Sequence, residues 1–145
     1  MPFVNSIILA DDDPDDVEIF TEAVNNDIQL EVVRDGRQLM ALLEHIQPDL
    51  LFLDLEMPYK NGLECLVEIR NNEGLKDLPV VVFSSTTRQV NIQTAYDMGG
   101  HLFLIKSPIY QELVAGIQTI FQLDWSDPVA IKEQYRINIR YAAFG

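Results

Sequence analysis

Five short apolar runs alternate with stretches of helical hydrophobic spacing, and this alternation restricts the fold of the 145-residue chain more than any other feature. The runs are Ser6–Ala10, Leu30–Val33, Leu50–Leu53, Val80–Phe83 and Leu102–Ile105. Each is too short for a typical helix, and several are rich in Val and Ile, so they read as strands. Between them lie Val17, Phe20 and Val24, then Leu39, Leu42, Leu43 and Ile46, then Leu66 and Ile69. Two further groups follow, around Ala95 to Met98 and at Leu113, Ile117, Ile120 and Phe121, all with helical spacing. Strict alternation of strand and helix predicts βαβ units, hence an α/β fold with a doubly wound, mostly parallel five-stranded sheet and helices on both faces. Asp13 before Pro14 is a cap followed by a proline at the first helical position, so the first helix is expected to start there. Gly36 and Gly62 fall near the starts of the second and third helices, and Gly99 and Gly100 close the fourth.

The chain is the size of one ordinary domain, and 48% hydrophobic residues suffice for a core. No apolar run approaches the roughly 20 residues that span a bilayer, and the start lacks the basic and apolar stretches of a secretory signal. A cytoplasmic protein is expected. The lone Cys65 has no disulfide partner and lies in a helical stretch, which predicts a buried thiol. A formal net charge of −13 repels phosphate backbones and anionic lipid, so neither nucleic acid nor membrane is an expected partner. The acids are concentrated: Asp11, Asp12, Asp13, Asp15 and Asp16 stand within six consecutive positions.

Ligands of open α/β sheets gather beyond the carboxyl ends of the strands. Here the first strand ends in Asp11 and Asp12, the third in Asp54, the fourth in Ser84 and the fifth in Lys106. Neighbouring strands would gather three carboxylates, a hydroxyl and an ammonium around one point. Three close carboxylates repel one another, so the site calls for a cation, and an all-oxygen ligand set suits Mg²⁺. With the metal present, one carboxylate can attack a phosphoryl group while metal, ammonium and hydroxyl neutralise its oxygens, giving an aspartyl phosphate.

The segments LADDDPDD, LFLDLEMP followed by Gly62, VVFSS and MGGHLFLIKSP resemble, in order and spacing, the successive signatures of stand-alone, chemotaxis-type response-regulator receiver domains. The resemblance covers about residues 5 to 122. It implies the strand order 2-1-3-4-5, Asp54 as phosphoacceptor, and Asp11 and Asp12 as the acidic pair that holds Mg²⁺, with the backbone carbonyl of Glu56 completing the ligands. It also implies that Lys106 pairs within the pocket and contacts the phosphoryl group, that Ser84 moves to hydrogen-bond it, and that Phe103 is the aromatic switch position. The implied function is a phosphorylation-activated signalling receiver. A histidine kinase or histidine phosphotransfer protein would supply the phosphoryl group, and a downstream protein would bind the altered surface around the fourth helix, fifth strand and fifth helix. The chain would promote only its own phosphoryl transfer and dephosphorylation.

Simpler roles are assigned to the remaining candidates. Asp13, Asp15 and Asp16 read as a cap and first-turn acids favoured by the helix dipole, and His45 and His101 as ordinary structural or surface residues. Ser107 intervenes between Lys106 and Pro108, where the family places proline directly after the lysine, so a rearranged or strained loop is expected. Phe103 replaces the commoner tyrosine, and Glu56 and Thr86 stand where the family tunes phosphoryl lifetime. Residues 1–123 are read as the receiver domain and 124–145 as a tail packed on the domain or in a dimer contact. In the tail, Asp127 and Pro128 start a short helix, and the alternating Tyr135, Ile137, Ile139 and Tyr141 predict a half-buried strand, with a homodimer expected across it. Two alternatives stand beside this one. The first is a haloacid-dehalogenase-like phosphatase using Asp11 and Asp13 as a DxD pair, and the second is a receiver-shaped scaffold that is never phosphorylated.

Overall fold

A computed structural model describes residues 4–137, 140, 141 and 143. Five strands form one parallel sheet: β1 (Ser6–Ala10), β2 (Gln29–Val33), β3 (Leu50–Leu53), β4 (Val80–Ser84) and β5 (Leu102–Ile105). Their order is β2-β1-β3-β4-β5. The connecting helices are α1 (Pro14–Ala23), α2 (Gly36–Leu43), α3 (Gly62–Arg70), α4 (Gln89–Asp97) and α5 (Tyr110–Phe121). This is the expected doubly wound architecture, with each strand within one residue of its sequence assignment.

Side chains alternate across the sheet as a period of two requires. Ile8, Ala10, Leu51, Leu53, Val80, Val82 and Phe103 pack on the side of α2, α3 and α4. Ile7, Leu9, Leu50, Phe52, Val81, Phe83, Leu102 and Leu104 pack on the side of α1 and α5. There Phe20, Phe52, Phe83 and Phe121 meet edge to face, with centroids 4.8–6.1 Å apart. Local caps fix where the helices begin. The Asp13 carboxylate accepts from the Asp15 N–H at 2.9 Å, and Asn61 and Glu64 form a reciprocal capping box on α3.

The tail contains α6 (Pro128–Gln134), capped by Asp127 as expected. Trp125 and Ile131 are buried with the α1/α5-side core, the Trp125 indole N–H donates to the Ile120 carbonyl at 2.8 Å, and Lys132 Nζ donates to the Tyr96 carbonyl at 2.9 Å. The expected single strand from Tyr135 to Tyr141 is not formed. Instead β6 (Arg136–Ile137) and β7 (Arg140–Tyr141) pair antiparallel with each other, and β7 lies against α4. A lone strand leaves its backbone groups unpaired, whereas doubling back supplies partners within the chain. Asn138 and Ile139 lie outside the described residues.

Gly62 ties the fold to the candidate site. A Cβ built there would stand 2.2 Å from the Asp54 carbonyl oxygen and 2.8 Å from Leu55 Cα, both backbone atoms that cannot swing away. Gly62→Ala is therefore expected to destabilise the protein by about 1–3 kcal/mol through overpacking, read as a lower urea midpoint with unchanged m value. An unchanged midpoint would show that the close approach of α3 to β3 is not needed.

Candidate functional site

Strand register assembles the site. In the β1–β3 pair Ala10 lies opposite Leu53, so the next residues, Asp11 and Asp54, leave the sheet side by side. In the β4–β5 pair Ser84 lies opposite Ile105, and the Lys106 N–H donates to the Ser84 carbonyl at 2.8 Å, which sets Lys106 one step beyond. Alternation then fixes the face. Asp11, Asp54 and Lys106 continue the series that packs toward α1 and α5, above Phe83, whose ring centroid lies 4.9 Å from Lys106 Nζ.

Lys106 Nζ lies 2.9 Å from Asp11 Oδ2, 2.9 Å from Asp16 Oδ2 and 3.3 Å from Asp54 Oδ2. One ammonium thus faces three carboxylates at the end of the sheet. Asp11 is fully buried and Asp54 nearly so, while Asp12 is exposed at the rim. Backbone donors hold the inner pair: the Asp13 N–H bonds Asp11 Oδ1 at 3.0 Å, and the Glu56 N–H bonds Asp54 Oδ1 at 3.2 Å. Burial pushes the Asp54 carboxyl up to about 7, with Lys106 pulling it down and Asp11 adding to the rise. Burial likewise raises Asp11 against the pull of Lys106. At Lys106 burial works against the charge, but Asp11, Asp16 and Asp54 outweigh it and hold the ammonium above its ordinary value.

A hard divalent cation fits this arrangement. One carboxylate oxygen each from Asp11, Asp12 and Asp54 lies within 4.8 Å of the others. Asp11 Oδ2 is buried without a hydrogen bond; its 2.9 Å approach to Lys106 is a charge contact whose angles do not align a hydrogen bond. The cleft brings four carboxylates, those of Asp11, Asp12, Asp16 and Asp54, together with one ammonium, and an all-oxygen set is what such a cation prefers. The cleft, about 390 Å³, is lined by Asp12, Asp54, Glu56, Ser84, Lys106 and Ser107 among others. A larger cleft of about 510 Å³, between the ends of α1 and α5, is lined by residues such as Val4, Ala23, Gln118 and Phe121, with no comparable convergence of reactive groups.

The other sequence candidates fall into place around the cleft. Ser84 is buried, and its hydroxyl accepts from the Thr86 N–H at 3.2 Å, turned toward its own loop. Phe103 is fully buried on the α4 side, where its N–H donates to the Tyr96 hydroxyl at 3.0 Å. The Lys106-Ser107-Pro108 loop contains no cis peptide bond; the Ser107 hydroxyl donates to Glu112 at 3.0 Å and accepts from the Ile109 N–H at 3.1 Å, an intact turn at the start of α5. Asp13 also lines the cleft, but its carboxylate is engaged as the α1 cap and is not one of the three grouped carboxylates, which disfavours the DxD pair of the phosphatase alternative. His101 is structural: buried beside Arg70 and held neutral, with burial pulling it down to about 3, it accepts from the Val80 N–H at 3.1 Å. The residue that sequence reasoning missed is Asp16. It stands four positions before the fully buried Phe20, on the same inward face of α1, a spacing that marks it apart from the exposed Asp15.

Comparison with known proteins agrees with this geometry. The family model of the response regulator receiver domain matches residues 7–118. Response regulator Rcp1 from Synechocystis sp. is 30% identical over 135 residues, covering 86% of this chain and 91% of its own. The transcriptional regulatory protein CpxR from Klebsiella pneumoniae is 32% identical over 126 residues, but these cover 86% of this chain and only 53% of that protein, so the chain spans about half of such relatives. Among solved structures, the phosphorylated cyanobacterial phytochrome response regulator RcpA aligns with a TM-score of 0.78 at 31% identity, over 84% of this chain and 94% of that one. The Mn²⁺-bound form of Rcp1 aligns with a TM-score of 0.74 at 31% identity, over 80% and 91%. Among the described residues no helix is long and apolar enough to cross a membrane. The sheet order, the acidic cleft at its carboxyl end and these relatives together place the chain in the receiver-domain family of two-component response regulators, signalling proteins phosphorylated on aspartate.

Proposed function

We propose that Asp54 is the phosphoacceptor of this receiver, that Asp11, Asp12 and Asp54 with the Glu56 carbonyl hold Mg²⁺, and that Lys106 and Ser84 receive the phosphoryl oxygens. The observation that carries the proposal is the Lys106 ammonium, 3.3 Å from Asp54 and 2.9 Å from Asp11 at adjacent strand ends. An oxygen of Asp54 forms the new P–O bond as the bond from phosphorus to the donor breaks and the donor's leaving group takes the electron pair. When bound, the cation supplies charge neutralisation for the phosphoryl oxygens. Lys106 is already in place to contact those oxygens, whereas Ser84 would exchange its bond from the Thr86 N–H for one to the phosphoryl group. Inward packing of Phe103 beside α4 suits a switch position that links this exchange to the α4–β5–α5 surface. The donor is a histidine kinase or phosphotransfer protein and the reader a downstream protein in the cytoplasm. The chain has no separate substrate.

Residues 1–123 are the signalling unit in this proposal, and the tail from 124 packs on it through its described residues. The burial of Trp125 and Ile131 and the bond from Lys132 to the Tyr96 carbonyl favour that arrangement over the homodimer expected from sequence. Light scattering should report a monomer with and without phosphodonor; a dimer lost on deletion of residues 127–145 would restore the alternative.

Incubation with Mg²⁺ and a small phosphodonor should add one phosphate per chain. Asp54→Ala should abolish the labelling, and undiminished labelling would overturn the assignment. The pH dependence gives a second test. An acid raised above its ordinary value in the folded protein binds a proton that the unfolded chain has released, so its contribution to stability is complete below about pH 4 and lost as pH rises through about 7. Without metal, wild type should therefore lose more thermal stability than Asp54→Asn between pH 5 and 8. Metal binding displaces that proton, so the gain in Tm from Mg²⁺ should grow over the same interval. A gain independent of pH would contradict the protonation of Asp54 in the metal-free state.

A further inference from the structure

The first-turn acids of α1 differ in what they touch. Asp15 is exposed, and its backbone N–H is engaged by the Asp13 cap. The Asp16 side chain is only 19% exposed, and its carboxylate lies 2.9 Å from Lys106 Nζ, as close as Asp11 and closer than Asp54. Stabilising a helix dipole requires an acid near the first turn but not one aimed at a buried ammonium on another element. An ammonium has three N–H donors, and three carboxylates already surround this one. An arriving phosphoryl group therefore meets an ammonium whose charge is already shared among three carboxylates, one of them hydrogen-bonded.

From this geometry we infer that Asp16 is a positioning residue for phosphoryl transfer: it holds Lys106 toward α1 in the unphosphorylated protein and competes with the phosphoryl oxygens for the ammonium. The inference rests on Asp54 being the phosphoacceptor. Transfer brings a dianionic group beside Lys106, where Asp11 and Asp12 stand with Asp16 as further negative charges. Removing the Asp16 charge lowers the repulsion felt by an anionic donor and leaves the ammonium shared by two acids. The same change makes the cleft less attractive to a divalent cation. The two effects run in opposite directions, whereas a loosened fold would weaken both.

The test compares wild type, Asp16→Asn and Asp16→Glu as full chains. Phosphorylation is followed against acetyl phosphate concentration at saturating Mg²⁺, and Mg²⁺ binding is measured by calorimetry without donor. In Asp16→Asn the half-saturating donor concentration should fall on the order of three- to tenfold while the Mg²⁺ Kd rises by a similar factor, as expected for one charge removed at a partly solvated site. Asp16→Glu, which keeps the charge, should stay within about twofold of wild type on both. Unchanged donor saturation in Asp16→Asn, or donor and metal affinity weakening together, would overturn the inference while leaving Asp54 as acceptor. Failure of wild type to accept phosphate, or equal labelling of Asp54→Ala, would overturn both.

Discussion

The contact between Lys106 and the carboxylates of Asp11, Asp16 and Asp54 is the interaction on which the rest of the site depends. Buried acids at adjacent strand ends cost free energy unless they are paired or hydrogen-bonded. Here a single ammonium, 2.9–3.3 Å from three carboxylates, offsets part of that cost. The pairing exists because two register relations hold at once: Ala10 opposite Leu53 and Ser84 opposite Ile105. A slip of one residue in either strand would send its terminal polar side chain to the opposite face.

The remaining imbalance is the origin of function. Burial leaves Asp54 with a carboxyl near neutrality and Asp11 with an oxygen that has no hydrogen bond, so the metal-free site is strained in charge rather than in backbone. A divalent cation and a phosphoryl group each change that charge balance. The polar side chains that would respond stand at the end of β4, just ahead of the loop to α4, and on the loop to α5. Ser84 is bonded to the Thr86 N–H ahead of α4, and Ser107 closes the turn that starts α5. The Phe103 N–H is held by Tyr96, whose carbonyl in turn accepts from Lys132 of α6, so the core behind the site and the carboxyl tail share one hydrogen-bonded column.

Much of this was legible in the sequence. The five strands are short apolar runs whose ends carry Asp11, Asp54, Ser84 and Lys106, and alternation makes both their boundaries and their facing readable. Strand order was not readable from periodicity; it came from the family resemblance. Asp16 was passed over because first-turn acids are common for dipole reasons, although its position four residues before Phe20 marks it as inward-facing. The tail was misread for a different reason. Alternation over Tyr135 to Tyr141 specifies side-chain facing but not whether the backbone continues or doubles back, and here Arg136 pairs with Tyr141. Ser107 suggested a strained loop because sequence alone does not show that its hydroxyl links Glu112 to the Ile109 N–H.

The central claim is that the buried carboxylate beside Lys106, and not one of its acidic neighbours, carries the phosphoryl group. Borohydride reduces an aspartyl phosphate to homoserine, so reductive trapping after phosphorylation followed by peptide mass spectrometry locates the acceptor directly. The account predicts homoserine at position 54 alone, dependent on both Mg²⁺ and donor. Homoserine at Asp11, Asp12 or Asp16, or a phosphate that borohydride leaves in place, would contradict it.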